Sequence, residues 1–211
     1  MPLKQLFTNT ILKFTDNQTI KDILWQQIEA NYSEKSRFYH TLTHLNEMFD
    51  LLDQVKSQIT DYDTVFFAVF YHDIIYNPQA KDNEEQSADL MKNSLSKINF
   101  PSEKINNCYD QIIATKSHSP TLSKDTNFLL DADLAILGQT SEKYQNYTQQ
   151  IRKEYSFYSN EEYKKGRIKV LNHFLKNESI YKTIFFKEKF EKQARLNIQN
   201  ELNTIEKLIL Y

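Results

Sequence analysis

Glycine, proline and cysteine are scarce in this chain of 211 residues, which has only 2 Gly, 4 Pro and 1 Cys. Strands joined by tight turns consume glycine and proline, whereas long helices avoid both residues. The composition therefore predicts an all-α fold. A single cysteine, Cys108, excludes an internal disulfide, and we expect its thiol to be a small core group. The length suits one domain with a sizeable core, or two small ones.

The chain also lacks a dominant charge and long apolar runs. A formal net charge of −2 with mixed signs gives no electrostatic footprint for nucleic acid or for an anionic membrane. No segment approaches the roughly 20 apolar residues that span a bilayer, and the first residues lack the apolar run of a signal peptide. We therefore expect a soluble, cytoplasmic protein that binds neither nucleic acid nor membranes.

Aromatic residues are abundant, with 14 Phe and 13 Tyr, and apolar side chains recur at helical spacing along the chain. The pattern predicts helices over residues 3–14, 17–32, 38–55, 61–72, 82–98, 101–115, 125–137, 142–155, 159–175 and 187–210, with a short helix after Asn177. No linker, repeat or composition shift divides the chain, so a single domain over residues 1–211 is predicted.

Local signals mark several of the predicted helix ends. Asp82 with Glu85, and Ser159 with Glu162, fit the spacing of capping boxes. Gly138 follows an apolar run, where a glycine in the left-handed conformation commonly ends a helix.

The most apolar stretch, residues 65–76, contains the vicinal pair His72-Asp73. An imidazole and a carboxylate at the end of a buried segment are costly to desolvate and need a compensating partner. A divalent metal ion is a partner that suits both groups. The pair alone is a weak signal, so the interpretation depends on further ligands elsewhere in the chain.

Further candidate ligands occur in two other segments. His40 and His44 are four residues apart, which would place both on one face of a helix. Asp131 and Asp133 put carboxylates into an apolar run, where a strong partner must offset their burial. Two histidines and two carboxylates form a mixed set suited to Mn, Fe, Co, Ni, Zn or Mg, with positions left for water and substrate. The spacing does not separate Asp131 from Asp133 as the fourth ligand.

The order His…His-Asp…Asp on helices resembles the HD-domain superfamily of metal-dependent phosphohydrolases. Further segments are similar to a bacterial subgroup of predicted HD phosphohydrolases: Asp82-Asn-Glu-Glu-Gln-Ser-Ala88, Leu130-Asp-Ala-Asp-Leu-Ala-Ile-Leu-Gly138, Arg152-x-Glu-Tyr155, Gly166-Arg167 and Ala194-Arg-x-Asn197. The similarity runs from about Arg37 to Glu201. The Tyr39-His40 segment with His44 also resembles the distant cyclic-nucleotide phosphodiesterases.

The resemblance implies an HD-type helical bundle with a metal site. Its ligands would be His44, His72, Asp73 and Asp133, with Asp73 able to bridge to a second ion. It also implies attack on phosphorus by a metal-activated water, polarisation of a phosphoryl oxygen, and protonation of the departing alkoxide by His40.

Four more residues are candidates for the same site, and each has a plainer interpretation. Glu84 lies just beyond the His-Asp pair, where an acid could orient or deprotonate the attacking water, or simply face solvent. Arg37 could grip phosphate or make a surface ion pair. His118 could contact substrate or be a solvated loop histidine, and Asp131 is a candidate substrate contact besides being the second choice of ligand.

The predicted function is hydrolysis of a phosphoester or phosphoanhydride in a small molecule, expected to be a nucleotide. Two alternatives stay open: a non-catalytic metal- and nucleotide-binding sensor, and an HD-type iron oxygenase. The oxygenases need two further histidines between the His-Asp pair and the last Asp, where this chain has only His118. The long final helix could pair with a second copy in a homodimer, or pack within the chain.

Overall fold

The computed structural model describes residues 1–207, and these residues contain helices and no strands. This confirms the predicted all-α fold. The chain forms two compact units, Met1–Leu129 and a second that begins at Leu130. The predicted single domain stays a prediction, since two such units can belong to one domain. Within the described part of the chain, every helix is too short or too polar to traverse a lipid bilayer.

The first unit is built around its most apolar helix. Its helices are α1 (Leu3–Ile11), α2 (Gln18–Tyr32), α3 (Leu42–Leu52), α4 (Tyr62–Tyr71), α5 (Asn83–Leu95) and α6 (Ser102–Thr115), with a 3₁₀ helix at Asp53–Gln58, and α7 (Lys124–Asp133) begins there. Helix α4 is buried from Thr64 to Tyr71 and packs against α3, α5 and α6. A helix that is apolar all round must be buried in this way.

Aromatic contacts fix α4 from the side of the first two helices. The ring of Phe70 meets Phe7 at 5.2 Å between centroids in an edge arrangement, and it meets Trp25 at 6.4 Å. Phe67 makes a further edge contact with Phe7, at 6.3 Å. Such pairs stabilise by about 0.5–1.5 kcal/mol each beyond the area that they bury. The C-terminal half of α4, which leads into His72, is therefore packed against both α1 and α2.

In the second unit, the described residues comprise the end of α7, a 3₁₀ helix and three further α-helices. Their bounds are Leu134–Gly138 for the 3₁₀ helix, and Ser141–Glu154 (α8), Asn160–Lys176 (α9) and Ile184–Lys207 (α10). The predicted helix over 125–137 is therefore α-helical only to Asp133, and the predicted short helix after Asn177 is wrong. The predicted end of the last helix, Leu210, lies outside the described residues.

One of the two predicted capping boxes is confirmed. Ser159 and Glu162 form the reciprocal pair at the start of α9. The box at Asp82 and Glu85 is wrong, because the Asp82 side chain makes no capping hydrogen bond. Glu85 instead accepts a hydrogen bond from the Lys116 ammonium at the end of α6, which also lowers the pKa of the Glu85 carboxyl. The Glu85 carboxylate is thus engaged by the charged side chain of Lys116 instead of forming the capping box.

Gly138 is not a left-handed cap, since no described glycine has a positive φ. The glycine is required by a close approach instead. A Cβ at this position would lie 2.5 Å from the Cβ of Phe190 and 2.6 Å from its carbonyl oxygen. The backbone of α10 therefore occupies the space that any larger residue would need.

We expect Gly138→Ala to lower the free energy of unfolding by about 2–3 kcal/mol, because the added methyl group displaces α10. The matched control is Gly166→Ala in α9, where an added Cβ meets nothing within 4 Å. That change should raise stability by about 0.5–1 kcal/mol, the helix preference of alanine over glycine. Urea denaturation of both variants measures the two effects, and a loss of equal size in both would contradict the close-approach explanation.

Candidate metal centre

His72 lies directly after α4 as its C-cap residue, and its side chain is buried. Its Nδ1 lies 2.9 Å from the carbonyl oxygen of Val69. A carbonyl oxygen only accepts hydrogen bonds, so Nδ1 carries a hydrogen, and in the neutral form of the ring the lone pair is on Nε2. A hydrogen bond of this kind orients metal-binding histidines generally. The end of α4 therefore presents a ring nitrogen ready to accept a cation.

His44, on α3 and also buried, supplies a second ring nitrogen. Its Nε2 lies 3.4 Å from the Nε2 of His72. Two nitrogen ligands at about 2.1 Å from one ion, about 90–110° apart, are themselves roughly 3.0–3.4 Å apart. A hydrogen bond between the rings would ordinarily be shorter. The separation thus fits two ligands that share one metal ion.

Asp73 adds a carboxylate to the two imidazoles. Its Oδ2 lies 3.2 Å from the Nε2 of His72 and 3.7 Å from the Nε2 of His40. The Asp73 side chain is 19% exposed, whereas the His72 side chain is 1% exposed. His72 therefore lies next to both other predicted ligands of the first unit, with the ring of His44 in one contact and the more exposed carboxylate of Asp73 in the other. A mixed nitrogen and oxygen set of this kind fits a divalent cation.

His40 lies close to His44, but the two residues are not on the same helix. Helix α3 begins at Leu42, and Thr41 before it is extended, so the predicted common helical face is wrong. The ring centroids of His40 and His44 nevertheless lie 6.0 Å apart. The His40 ring packs on Tyr76 with centroids 4.2 Å apart and planes inclined by 32°. A loop and a ring contact, rather than helical spacing, bring His40 to the site.

Arg37 does not serve as the predicted substrate contact. Its side chain is fully buried, and its guanidinium donates hydrogen bonds to the carbonyl oxygens of Asp73 at 2.6 Å and Ile74 at 2.8 Å. A third, longer one reaches the carbonyl of His40 at 3.4 Å. The donors are thus occupied by the protein itself, and Arg37 ties the His40 segment to the His72-Asp73 segment.

Two polar residues of α5, which belong to the 82–88 motif but had no predicted role of their own, hold the chain that follows the His-Asp pair. The Asn83 amide donates to the carbonyl of Asn77 at 2.8 Å and accepts from its N–H at 3.0 Å. The Ser87 hydroxyl bonds to the N–H of Ile75 at 3.1 Å and to its carbonyl at 3.3 Å. Their i, i+4 spacing on α5 was the available signal. The 82–88 segment therefore positions the site's backbone.

Glu84 lies at the start of α5, and His118 lies just after the end of α6. A Glu84 oxygen is 4.0 Å from the Lys116 ammonium, and the carboxylate is partly exposed. His118 lies in the turn after α6, with a φ of 51° and its N–H donated to the carbonyl of Ala114. The catalytic role of Glu84 and the substrate contact of His118 stay predictions.

The two acids of α7 differ in their surroundings within the second unit. Asp131 is fully buried and accepts hydrogen bonds from the N–H groups of Lys182 and Thr183 and from the Thr183 hydroxyl. Burial raises the pKa of the Asp131 carboxyl, and these hydrogen bonds partly offset the rise. We therefore assign Asp131 to the start of α10, not to substrate or metal. Asp133, half-buried at the end of α7, stays the predicted fourth ligand.

Two further segments of the family resemblance, Gly166-Arg167 and Ala194-Arg-x-Asn197, make structural contacts in the second unit. The Arg167 guanidinium grips the Glu201 carboxylate with two hydrogen bonds, of 2.8 and 3.0 Å. Arg195 donates to the carbonyl of Asn177 after the end of α9, and Asn197 donates to the carbonyl of Leu137. These hydrogen bonds join separate segments of the second unit, which accounts for the arginine and asparagine residues of the motifs.

No protein-family model, curated protein or solved structure matches this chain. Membership of the HD superfamily therefore stays a prediction that rests on the chain's own residues.

Proposed function

We propose that this chain is a metal-dependent phosphohydrolase of the HD type, acting on a small phosphorylated molecule, expected to be a nucleotide. The observation that carries the proposal is the pair of buried ring nitrogens, His44 Nε2 and His72 Nε2, 3.4 Å apart. Asp73 beside them supplies a carboxylate that is open to solvent on one side. This set suits a divalent ion of the Mn, Fe, Co, Ni, Zn or Mg group, with positions left for water and substrate.

Asp133 is proposed as the fourth ligand. Helix α7 starts with Asp125, whose carboxylate accepts hydrogen bonds from the N–H groups of Thr60 at 2.9 Å and Asp61 at 2.8 Å, just before α4. The start of α7 is thus tied to the start of the helix that leads to His72. A helix rises about 1.5 Å per residue, so Asp133 lies roughly 12 Å along α7 from Asp125. Its place at the end of that helix, in an apolar run, supports the assignment.

The protein groups have separate chemical tasks in this proposal. A bound cation would lower the pKa of a water molecule and polarise the phosphoryl oxygen. The hydrogen bond from His72 Nδ1–H to the Val69 carbonyl orients the ring, so that Nε2 is the nitrogen that would bind the cation. His40, partly exposed beside Asp73, holds on its Nε2 the proton that passes to the leaving oxygen. A leaving alkoxide needs this proton, whereas a good leaving group does not.

The test is phosphate release from a panel of nucleoside mono-, di- and triphosphates, cyclic nucleotides and sugar phosphates. We expect protein stripped of metal by a chelator to be inactive, and added Mn²⁺ or Mg²⁺ to restore hydrolysis of at least one substrate. Binding of cation and nucleotide without turnover would instead establish a sensor and overturn the enzymatic proposal. Oxygen consumption by the iron-loaded protein, with no phosphate release, would favour the oxygenase.

A further inference from the structure

Three side chains form a stack beside the candidate metal centre. The Tyr76 ring packs against the His40 imidazole, with centroids 4.2 Å apart. The Arg37 guanidinium carbon lies 5.5 Å from the Tyr76 centroid and 5.0 Å from that of Tyr32. Arg37 is itself fixed by the carbonyl of Asp73, so the stack is anchored in the segment that carries the acid.

The stack restricts the conformation of the His40 side chain, which the local backbone does not restrict. His40 precedes α3, and its side chain is 17% exposed, so no helix restricts its rotamer. An imidazole in a loop can occupy several staggered conformations. The face of Tyr76 and the edge of Tyr39, at 5.0 Å and 82°, both contact the ring, whose Nε2 lies 3.7 Å from Asp73 Oδ2. The attraction between the Arg37 guanidinium and the Tyr76 ring further stabilises the stack.

We propose that Tyr76 is a positioning residue that holds His40 in the orientation in which it delivers its proton. The proposal rests on the proposed function, because it assigns His40 the role of proton donor. Tyr76 acts through the face of its ring and not through its hydroxyl group. Tyr76→Phe should therefore keep the effect, and Tyr76→Leu should lose it. Tyr62→Leu is the matched control. Tyr62 is at the start of α4, and its ring also contacts a cation, with the Lys56 Nζ 4.3 Å from the ring centroid.

The first measurement is independent of catalysis. In the metal-free protein, NOEs between the His40 and Tyr39 rings should report the single orientation of the His40 imidazole. Tyr76→Phe and Tyr62→Leu should keep these NOEs, and Tyr76→Leu should weaken them as the imidazole samples other rotamers. Unchanged His40–Tyr39 NOEs in Tyr76→Leu would overturn the positioning role, whether or not the protein is an enzyme.

The second measurement compares two leaving groups. Because a general acid contributes roughly 10²–10⁴-fold, we expect Tyr76→Leu to lower kcat by about 10–100-fold for an alkyl phosphate. With p-nitrophenyl phosphate, whose leaving group needs no proton, kcat should change little, and Tyr76→Phe should restore the alkyl rate. Equal losses on both substrates would overturn the proposal. If the wild-type protein hydrolyses neither these two substrates nor any member of the nucleotide and sugar phosphate panel, the proposed function fails, and the NMR result alone decides whether Tyr76 positions His40.

Discussion

Replacing Asp73 with asparagine is expected to lower metal-dependent phosphate release by about 10³-fold or more while leaving the helical fold intact. The amide keeps the shape of the side chain but removes the negative charge that lies 3.2 Å from the Nε2 of His72. A ligated metal contributes several kcal/mol of transition-state stabilisation, and each 1.36 kcal/mol is a factor of ten in rate. Asp73 is partly exposed, so its replacement should cost little folding free energy.

The measurement is kcat at saturating cation, together with the thermal midpoint and far-UV circular dichroism of each variant. Asp63→Asn is the matched control, because it removes a carboxylate near the other end of α4, where Asp63 pairs with Lys13 at 2.7 Å. The control should retain wild-type activity. A rate for Asp73→Asn within tenfold of wild type would remove Asp73 from the ligand set.

Arg37→Met should cause a large loss of stability, about 3–4 kcal/mol in the free energy of unfolding. The change leaves the carbonyls of Asp73 and Ile74 without the donors that now lie at 2.6 and 2.8 Å. An unsatisfied buried acceptor costs about 1–3 kcal/mol, and a hydrogen bond to a charged donor contributes about 1.5–3 kcal/mol. The same change should weaken cation binding, because it releases the backbone of the His72-Asp73 segment.

Urea denaturation of wild type and variant gives the difference in unfolding free energy. Lys13→Met is the control, since the Lys13–Asp63 pair is exposed and such pairs contribute at most about 1 kcal/mol. If Arg37→Met were no more destabilising than this control, the guanidinium would not be holding the site together.

The helix that carries the site could be predicted because its signal is local. Residues 65–71 are apolar without interruption, so burial of α4 and the cost of placing His72 and Asp73 at its end follow from the sequence alone. The confirmed cap at Ser159 is equally local, since its partner Glu162 is three residues away. Where the determining contact lies within one helical turn, pattern and structure agree.

Contacts distant in sequence account for the parts that could not be predicted. Arg37 binds carbonyls 36 and 37 residues later, and backbone acceptors leave no mark in a sequence. Asp131 is distinguished from Asp133 by N–H groups 51 and 52 residues away. Gly138 is required by the approach of Phe190, and His40 reaches the site through the ring of Tyr76. In each case the fold, not the spacing, selects the partner.

Titration of the metal-free protein with Co²⁺, followed by calorimetry and by the visible absorption of the bound ion, tests most directly whether His44 and His72 share a cation. We expect at least one ion per chain, and loss of both signals in His72→Gln. His173→Gln, which alters a histidine on α9 in the second unit, should bind as wild type does. A folded wild-type protein that takes up no cation, or a His72→Gln variant that binds it unchanged, would contradict the assignment of this site.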